Sequence, residues 1–249
     1  MNNNPATATT GAADAFTLAC GPAPAARPAA GDLTAACATT APVIDGDAGE
    51  WDDAHVVTVL TEVAPDVGAV AGDFAGVWNL RWDREALYAA VIVLDTSLQP
   101  VDVTEPGQYW RGDSVSFEFG PAAGDLGARA VVRDGRDRHV MLGLAPEGAV
   151  ASINVAAGGT FPTGRQEPTI TAVATRNDTG YTIEARIPWD ALGTEPPARG
   201  QAFAANLNVS DAAVSRVWDF GRMISSNPER TAANQARPGT WQTLVLGDG

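Results

Sequence analysis

Lysine is absent from this chain: all 16 basic residues are arginine, and 30 acidic residues oppose them. The resulting formal charge of -14 removes the clustered cations that nucleic-acid phosphates and anionic membrane surfaces reward, so neither is an expected partner. Histidine occurs only twice, and with lysine absent both metal-hydrolase clusters and Schiff-base chemistry are poorly supplied. No run of about 18 apolar residues exists, so no membrane span is expected. The two cysteines, Cys20 and Cys37, both lie near the N-terminus. They read either as a disulfide, contributing roughly 3 kcal/mol by loop closure, or as two separate thiols. Neither a Gly-x-Ser-x-Gly elbow nor a phosphate-binding loop is present. The opening "MNNNPATATTGAADAF" lacks the basic start and apolar stretch of a secretory signal, so either an export signal has been removed or the protein is expected to stay inside. Arginine-only basicity with Asp in excess of Glu points to a GC-rich microbial genome.

What the chain does have divides in two. Residues 1–40 are rich in Ala, Thr, Pro and Gly, with Phe16 and Leu18 almost the only large apolar groups, and such a segment cannot build a core by itself. It is expected to be a flexible N-terminal arm or linker. Over residues 41–249 the texture changes to short apolar runs punctuated by turns. Strands are expected at Val77–Trp82, Ala86–Leu94, Ser114–Phe119, Ala128–Arg133, His139–Leu144, Val150–Val155, Thr169–Thr175, Tyr181–Ile187, Phe203–Val209 and Thr240–Leu246. Many short strands without intervening amphipathic helices indicate an all-β fold, an antiparallel β-sandwich of jelly-roll type.

Three strands disclose their faces through period-two alternation. Val115, Phe117 and Phe119 alternate with Ser114, Ser116 and Glu118. Tyr181, Ile183, Ala185 and Ile187 alternate with Thr182, Glu184 and Arg186, and Phe203, Ala205, Leu207 and Val209 with Asn206, Asn208 and Ser210. The polar sides are expected to face water, as antiparallel sheets allow, though a face of Asn, Ser, Glu and Arg also suits hydroxyl-rich ligands. Trp51, Trp78, Trp82, Trp189 and Trp241 sit in or beside apolar patterns and are expected in the core. Trp110 precedes its strand in a Pro/Gly-containing stretch, so the pattern does not commit it to the interior. A pair of carboxylates such as Glu118 and Glu184 could in principle serve glycoside hydrolysis, but outward strand acids are ordinarily just solvated. The tripeptide Arg111-Gly112-Asp113 spells an adhesion motif too short to be informative.

Five stretches resemble the family 9 carbohydrate-binding modules in the family's own order: "VIDGDAGEWDDA", "LRWDREALYAAVIVLD", "YWRGDSVSFEF", "GYTIEARIPWDAL" and, more loosely, "NLNVSDAAVSRVWDFG" through "GTWQTLVL". Together they span residues 42–246. The resemblance implies a β-sandwich that binds sugar between two Trp rings, here Trp110 and Trp218, with polar neighbours. The family's acidic position is Ser116 in this chain, with Glu118 one pleat further on. A family Arg falls near Arg138, and Asn208 lies about where the family carries an amide. Structural calcium is also implied. The turn "DGDAGEWDD" offers Asp45, Asp47 and Glu50, with Asp95 at a strand end as a further ligand, and clustered oxygens of this kind suit a hard cation. The expectation is therefore a non-catalytic, calcium-supported module, secreted or at the cell surface. A fused or neighbouring enzyme, or surface-layer subunits, would be its partners. The alternative is an assembly domain of a surface or filament layer that binds no sugar.

Overall fold

The computed structural model of the chain describes residue 20 and residues 32–51, 57–59, 61–64, 74–121, 134–157, 164–212, 222–227 and 237–247. Fourteen strands are present among them: β1 (Leu33–Cys37), β2 (Val57–Val59), β3 (Thr61–Ala64), β4 (Phe74–Trp82), β5 (Ala86–Asp95), β6 (Ser114–Gly120), β7 (Arg138–Ala145), β8 (Gly148–Val155), β9 (Arg165–Gln166), β10 (Thr171–Asn177), β11 (Gly180–Pro188), β12 (Ala202–Asp211), β13 (Arg222–Ser225) and β14 (Gln242–Leu246). The expected strand Ala128–Arg133 lies outside the described residues.

Two layers result. One runs β10-β11-β5-β4, with β2 also paired to β4; the other runs β14-β12-β6-β7-β8-β9, with β13 beside β12 and β3 beside β13. Period-two alternation builds the interior between them. Trp78 of the first layer meets Phe117 of the second edge-on, with centroids 6.3 Å apart. Phe203 packs on Phe119 at 4.7 Å and stacks with Trp189 at 5.9 Å. Such aromatic pairs add about 0.5–1.5 kcal/mol beyond the area they bury. All five tryptophans expected in the core are buried.

The layers are joined at both margins. On one side Arg176 of β10 donates to the carbonyls of Ala145 and Pro146 in the β7–β8 turn. On the other side β1 pairs with β14 through Leu33–Ala35 and with β4 through Ala36 and Cys37. Both of these ladders are parallel, so the sandwich is mixed rather than wholly antiparallel. β1 also lies inside the segment that composition assigned to the arm: its Leu33, Ala35 and Cys37 are core residues, and Cys20 is bonded to Cys37 with Cα atoms 6.1 Å apart. Short Ala-rich strands carry too little hydrophobic signal to stand out from a linker. What fixes this one is the pair of open edges it fills.

Candidate functional site

The polar sides of the β6, β7, β8 and β12 strands form one continuous array on the outer face of the second layer. Register aligns Asn154, His139, Glu118 and Asn206 in one cross-strand row, and Ser152, Met141, Ser116, Asn208 and Ser225 in the next. Sequence alternation made this a face toward water. The structure corrects that: every one of these side chains is buried. Part of the cover is a 3-10 helix at Pro106–Arg111, whose Tyr109 packs with Val101 and Met141 in a small apolar cluster that Trp110 and Val150 join. Gly143 makes that approach possible, because a Cβ there would collide with Val101 and Tyr109.

Burial makes the hydrogen bonding of this face decisive, since an unpaired buried polar group costs about 1–3 kcal/mol. Asn208 donates through Nδ2 to Glu118 Oε2 at 3.1 Å and to the Ser116 carbonyl at 3.5 Å. Asn206 Oδ1 accepts from Asn227 at 3.1 Å. Asn208 Oδ1, Asn206 Nδ2, Asn154 Oδ1 and Ser152 Oγ have no partner. Several donors and acceptors are therefore enclosed on a rigid sheet beneath its cover, with Trp110 half-buried at the margin.

Of the residues expected at a sugar site, Trp110, Ser116, Glu118 and Asn208 come together. Arg138 does not join them. It is registered opposite Phe119 and Val155, so it faces the other way at the start of β7, where its guanidinium donates to the Gly135 carbonyl at 2.8 Å and abuts Gly193. Burial lowers its pKa from the ordinary value. The neighbouring His139 takes the place beside Glu118, which single-residue pleating decides. Trp218 lies outside the described residues.

The acids of "DGDAGEWDD" are occupied in holding their own turn. Asp45 accepts from Asp47 N at 3.0 Å, Asp47 caps a short 3-10 helix through Gly49 N at 3.0 Å, and Glu50 accepts from Val43 N at 2.7 Å. Glu184 anchors this turn, accepting from Gly46 N at 2.6 Å, Asp45 N at 3.1 Å and Trp51 Nε1 at 2.6 Å. Burial raises its pKa despite those donors. Asp95 stands five residues along β5 from Ala90, the register partner of Glu184. That separation is roughly 17 Å at strand rise, so Asp95 does not meet the turn.

Asp95 meets two other acids instead. Its ligand oxygens and those of Asp113 and Asp211 lie within 4.8 Å of one another, and all three residues are buried. The strands explain the meeting: Asp95 ends β5 in one layer, whereas Asp113 precedes β6 and Asp211 ends β12 in the other, where Ser114 pairs with Ser210. Asp113 accepts from Gln99 N and from Ala212 N. Asp95 Oδ1 accepts from Ser97 N at 2.8 Å, while its Oδ2 has no partner. Arg222 approaches Asp211 at 3.5 Å. Burial, helped by the charges of Asp95 and Asp211, pushes the Asp113 carboxyl up to about 7 against the opposing backbone donors of Gln99 and Ala212. Burial and the same three acids hold the Tyr181 phenol well above its usual value. Sequence reading missed Asp113 and Asp211 because they are distant in the chain; the available signal was three aspartates at strand ends that register brings to one pole.

No protein-family model matches the sequence, and no curated protein matches it. Among solved structures, the fold is similar to a family 9 carbohydrate-binding module from Caldicellulosiruptor kristjanssonii. In complex with cellotriose, that module shares 17% identity at a TM-score of 0.58, over 87% of this chain and 94% of that one. In complex with glucose it gives 17% identity and a TM-score of 0.59, over 87% and 96%. The chain thus has the β-sandwich fold of those modules.

Proposed function

We propose that this chain is a non-catalytic carbohydrate-binding module whose saccharide lies against the Trp110 indole, at the margin of the covered polar array of the second layer. The observation that carries this reading is the half-exposed Trp110 indole, packed beside Val101, Tyr109 and Met141 at the margin of a rigid sheet face rich in amides and hydroxyls. A sugar ring presents a face of C–H groups and an edge of hydroxyls, which wants an aromatic plane beside short polar groups in a mostly preformed site. Asn208, Glu118 and Ser116 are the polar residues assigned to it, with His139 in place of Arg138.

Trp218 supplies the second ring in this reading. It precedes Arg222 by four residues in the sequence. Arg222 pairs with Asp211, close to Asp113, which itself follows Trp110 by three residues. A calcium ion held by Asp95, Asp113 and Asp211 would fix the entry to β6, three residues beyond Trp110. The residues fit a hard cation: three buried carboxylates converge, one oxygen of Asp95 lacks a partner, and oxygen is the only donor type present.

Catalysis is disfavoured by the positions of the two acids. Glu118 lies on the outer face of one layer and Glu184 on the outer face of the other, with the core between them. Sheets pack about 10 Å apart before any outward displacement is added, beyond the span of about 5–9.5 Å that glycoside hydrolysis uses. The disulfide suits an oxidising compartment, and so a secreted or surface location. A glycan array probed with and without chelator tests the reading. Retention of a β-glucan, xylan or mannan oligosaccharide that chelator weakens is expected; an array blank under both conditions would refute it.

A further inference from the structure

At the pole opposite the acid triad, a cleft of about 650 Å³ opens between the β4–β5 turn and the connection from β11 to β12. β5 runs from one pole to the other over 10 residues, which is roughly 30 Å at strand rise. The cleft therefore cannot share a ligand ring with Trp110. Its walls are fixed. Asp83 accepts from Glu85 N, Ala86 N and the Tyr88 hydroxyl, while its carbonyl accepts from Trp189 Nε1 at 2.8 Å. The opposite wall is a turn in which Gly193 N donates to Asp190 and Thr194 N to Trp189, at 3.0 Å each. Gly193 has φ +72 and the Arg138 guanidinium packed against it, so no side chain fits there.

Charge chooses the class of ligand. Arg84, Glu85, Arg186, Asp190, Thr194 and Glu195 line the cleft, with Trp189 and Pro196 as its apolar part. Two guanidiniums against three carboxylates leave an anion facing net negative charge, and a cation facing two arginines. A neutral polyhydroxyl chain uses both signs at once, since each hydroxyl donates and accepts. Arg186 is bonded to Glu85 at 3.0 Å, but Glu85 is 75% exposed, and exposed pairs of this kind are worth about 0–1 kcal/mol. A ligand hydroxyl can displace one partner at little cost. We propose that this cleft is a second subsite for a neutral oligosaccharide, separate from the Trp110 site, letting the molecule touch a polysaccharide at both poles. The choice of sugar rests on the reading of the chain as a saccharide binder; the location and the neutrality of the ligand do not.

Trp189 is buried and offers no open stacking face, so binding is expected in the millimolar range, far below what an aromatic slot provides. The test is an amide NMR titration of the full chain with cellotriose, repeated on Trp110→Ala and on the double variant Arg84→Ala/Glu195→Ala, both of whose positions are exposed. Saturable shifts at residues 84–86 and 190–196 that persist in Trp110→Ala are expected. In the double variant they should weaken about tenfold, as losing a hydrogen bond to a charged group predicts. Shifts confined to the Trp110 pole would overturn the cleft and leave the module reading standing. Shifts at the cleft that vanish in Trp110→Ala would also overturn it, while shifts at the cleft alone would sink the Trp110 site instead. If sodium glucuronate occupies the cleft more tightly than glucose, the assignment to a neutral ligand is wrong.

Discussion

Asn208 and Ser152 illustrate opposite demands on one buried face. Asn208 donates to a fully buried carboxylate, so Asn208→Ala should cost about 1–3 kcal/mol, read as a lower urea midpoint at unchanged slope. Ser152 Oγ has no partner. Ser152→Ala should therefore leave the sugar-free protein as stable as before, or slightly more so, because removing an unsatisfied hydroxyl is nearly neutral. Asp113 gives the pH counterpart. Its folded pKa of about 7 lies above the ordinary carboxylate value, so the folded state holds its proton more tightly than the unfolded chain does. Without metal, the contribution of Asp113 to stability should be full below about pH 4 and should be lost, by a few kcal/mol, as pH rises through 7. Calcium in the proposed site would bind the ionised form, so adding it near pH 7 should restore the loss; Asp113→Asn should abolish both effects. Thermal melts across pH, with chelator and with calcium, check this.

β1 shows what an element contributes beyond its own length. It has five residues, yet it closes the edges of both β4 and β14. Removing residues 1–37 should open those edges to intermolecular pairing, visible as light-scattering aggregation at temperatures where the full chain is monodisperse. The disulfide closes a loop within this same N-terminal segment, so Cys37→Ser should cost roughly 3 kcal/mol. Strand positions were legible in the sequence because alternation and turn residues mark them, and β5, β6, β11 and β12 fall within a residue or two of expectation. The Pro238–Thr240 stretch turned out to be a 3-10 helix leading into β14. Alternation also told which residues share a face, but not whether that face is covered. The cover over Ser116, Glu118 and Asn208 comes partly from a helix at 106–111, whose Pro and Gly read as loop.

At the scale of the whole molecule, the chain separates three tasks along the strand axis. An acid triad joins the two layers at one pole, a covered polar face with Trp110 at its margin lies on the second layer, and a charged cleft occupies the other pole. If this chain of charge -14 binds a neutral sugar as proposed, its affinity should be nearly independent of sodium chloride, since no counterions are released on binding. The most direct test of the central claim is calorimetry of the calcium-loaded protein with gluco-, xylo- and manno-oligosaccharides, comparing the unaltered chain with Trp110→Ala and Trp218→Ala. Each substitution is expected to weaken the preferred ligand by about 30-fold, as loss of a binding hot spot does, with a melting temperature close to the parent's. Affinities for every oligosaccharide unchanged in both variants would contradict the account.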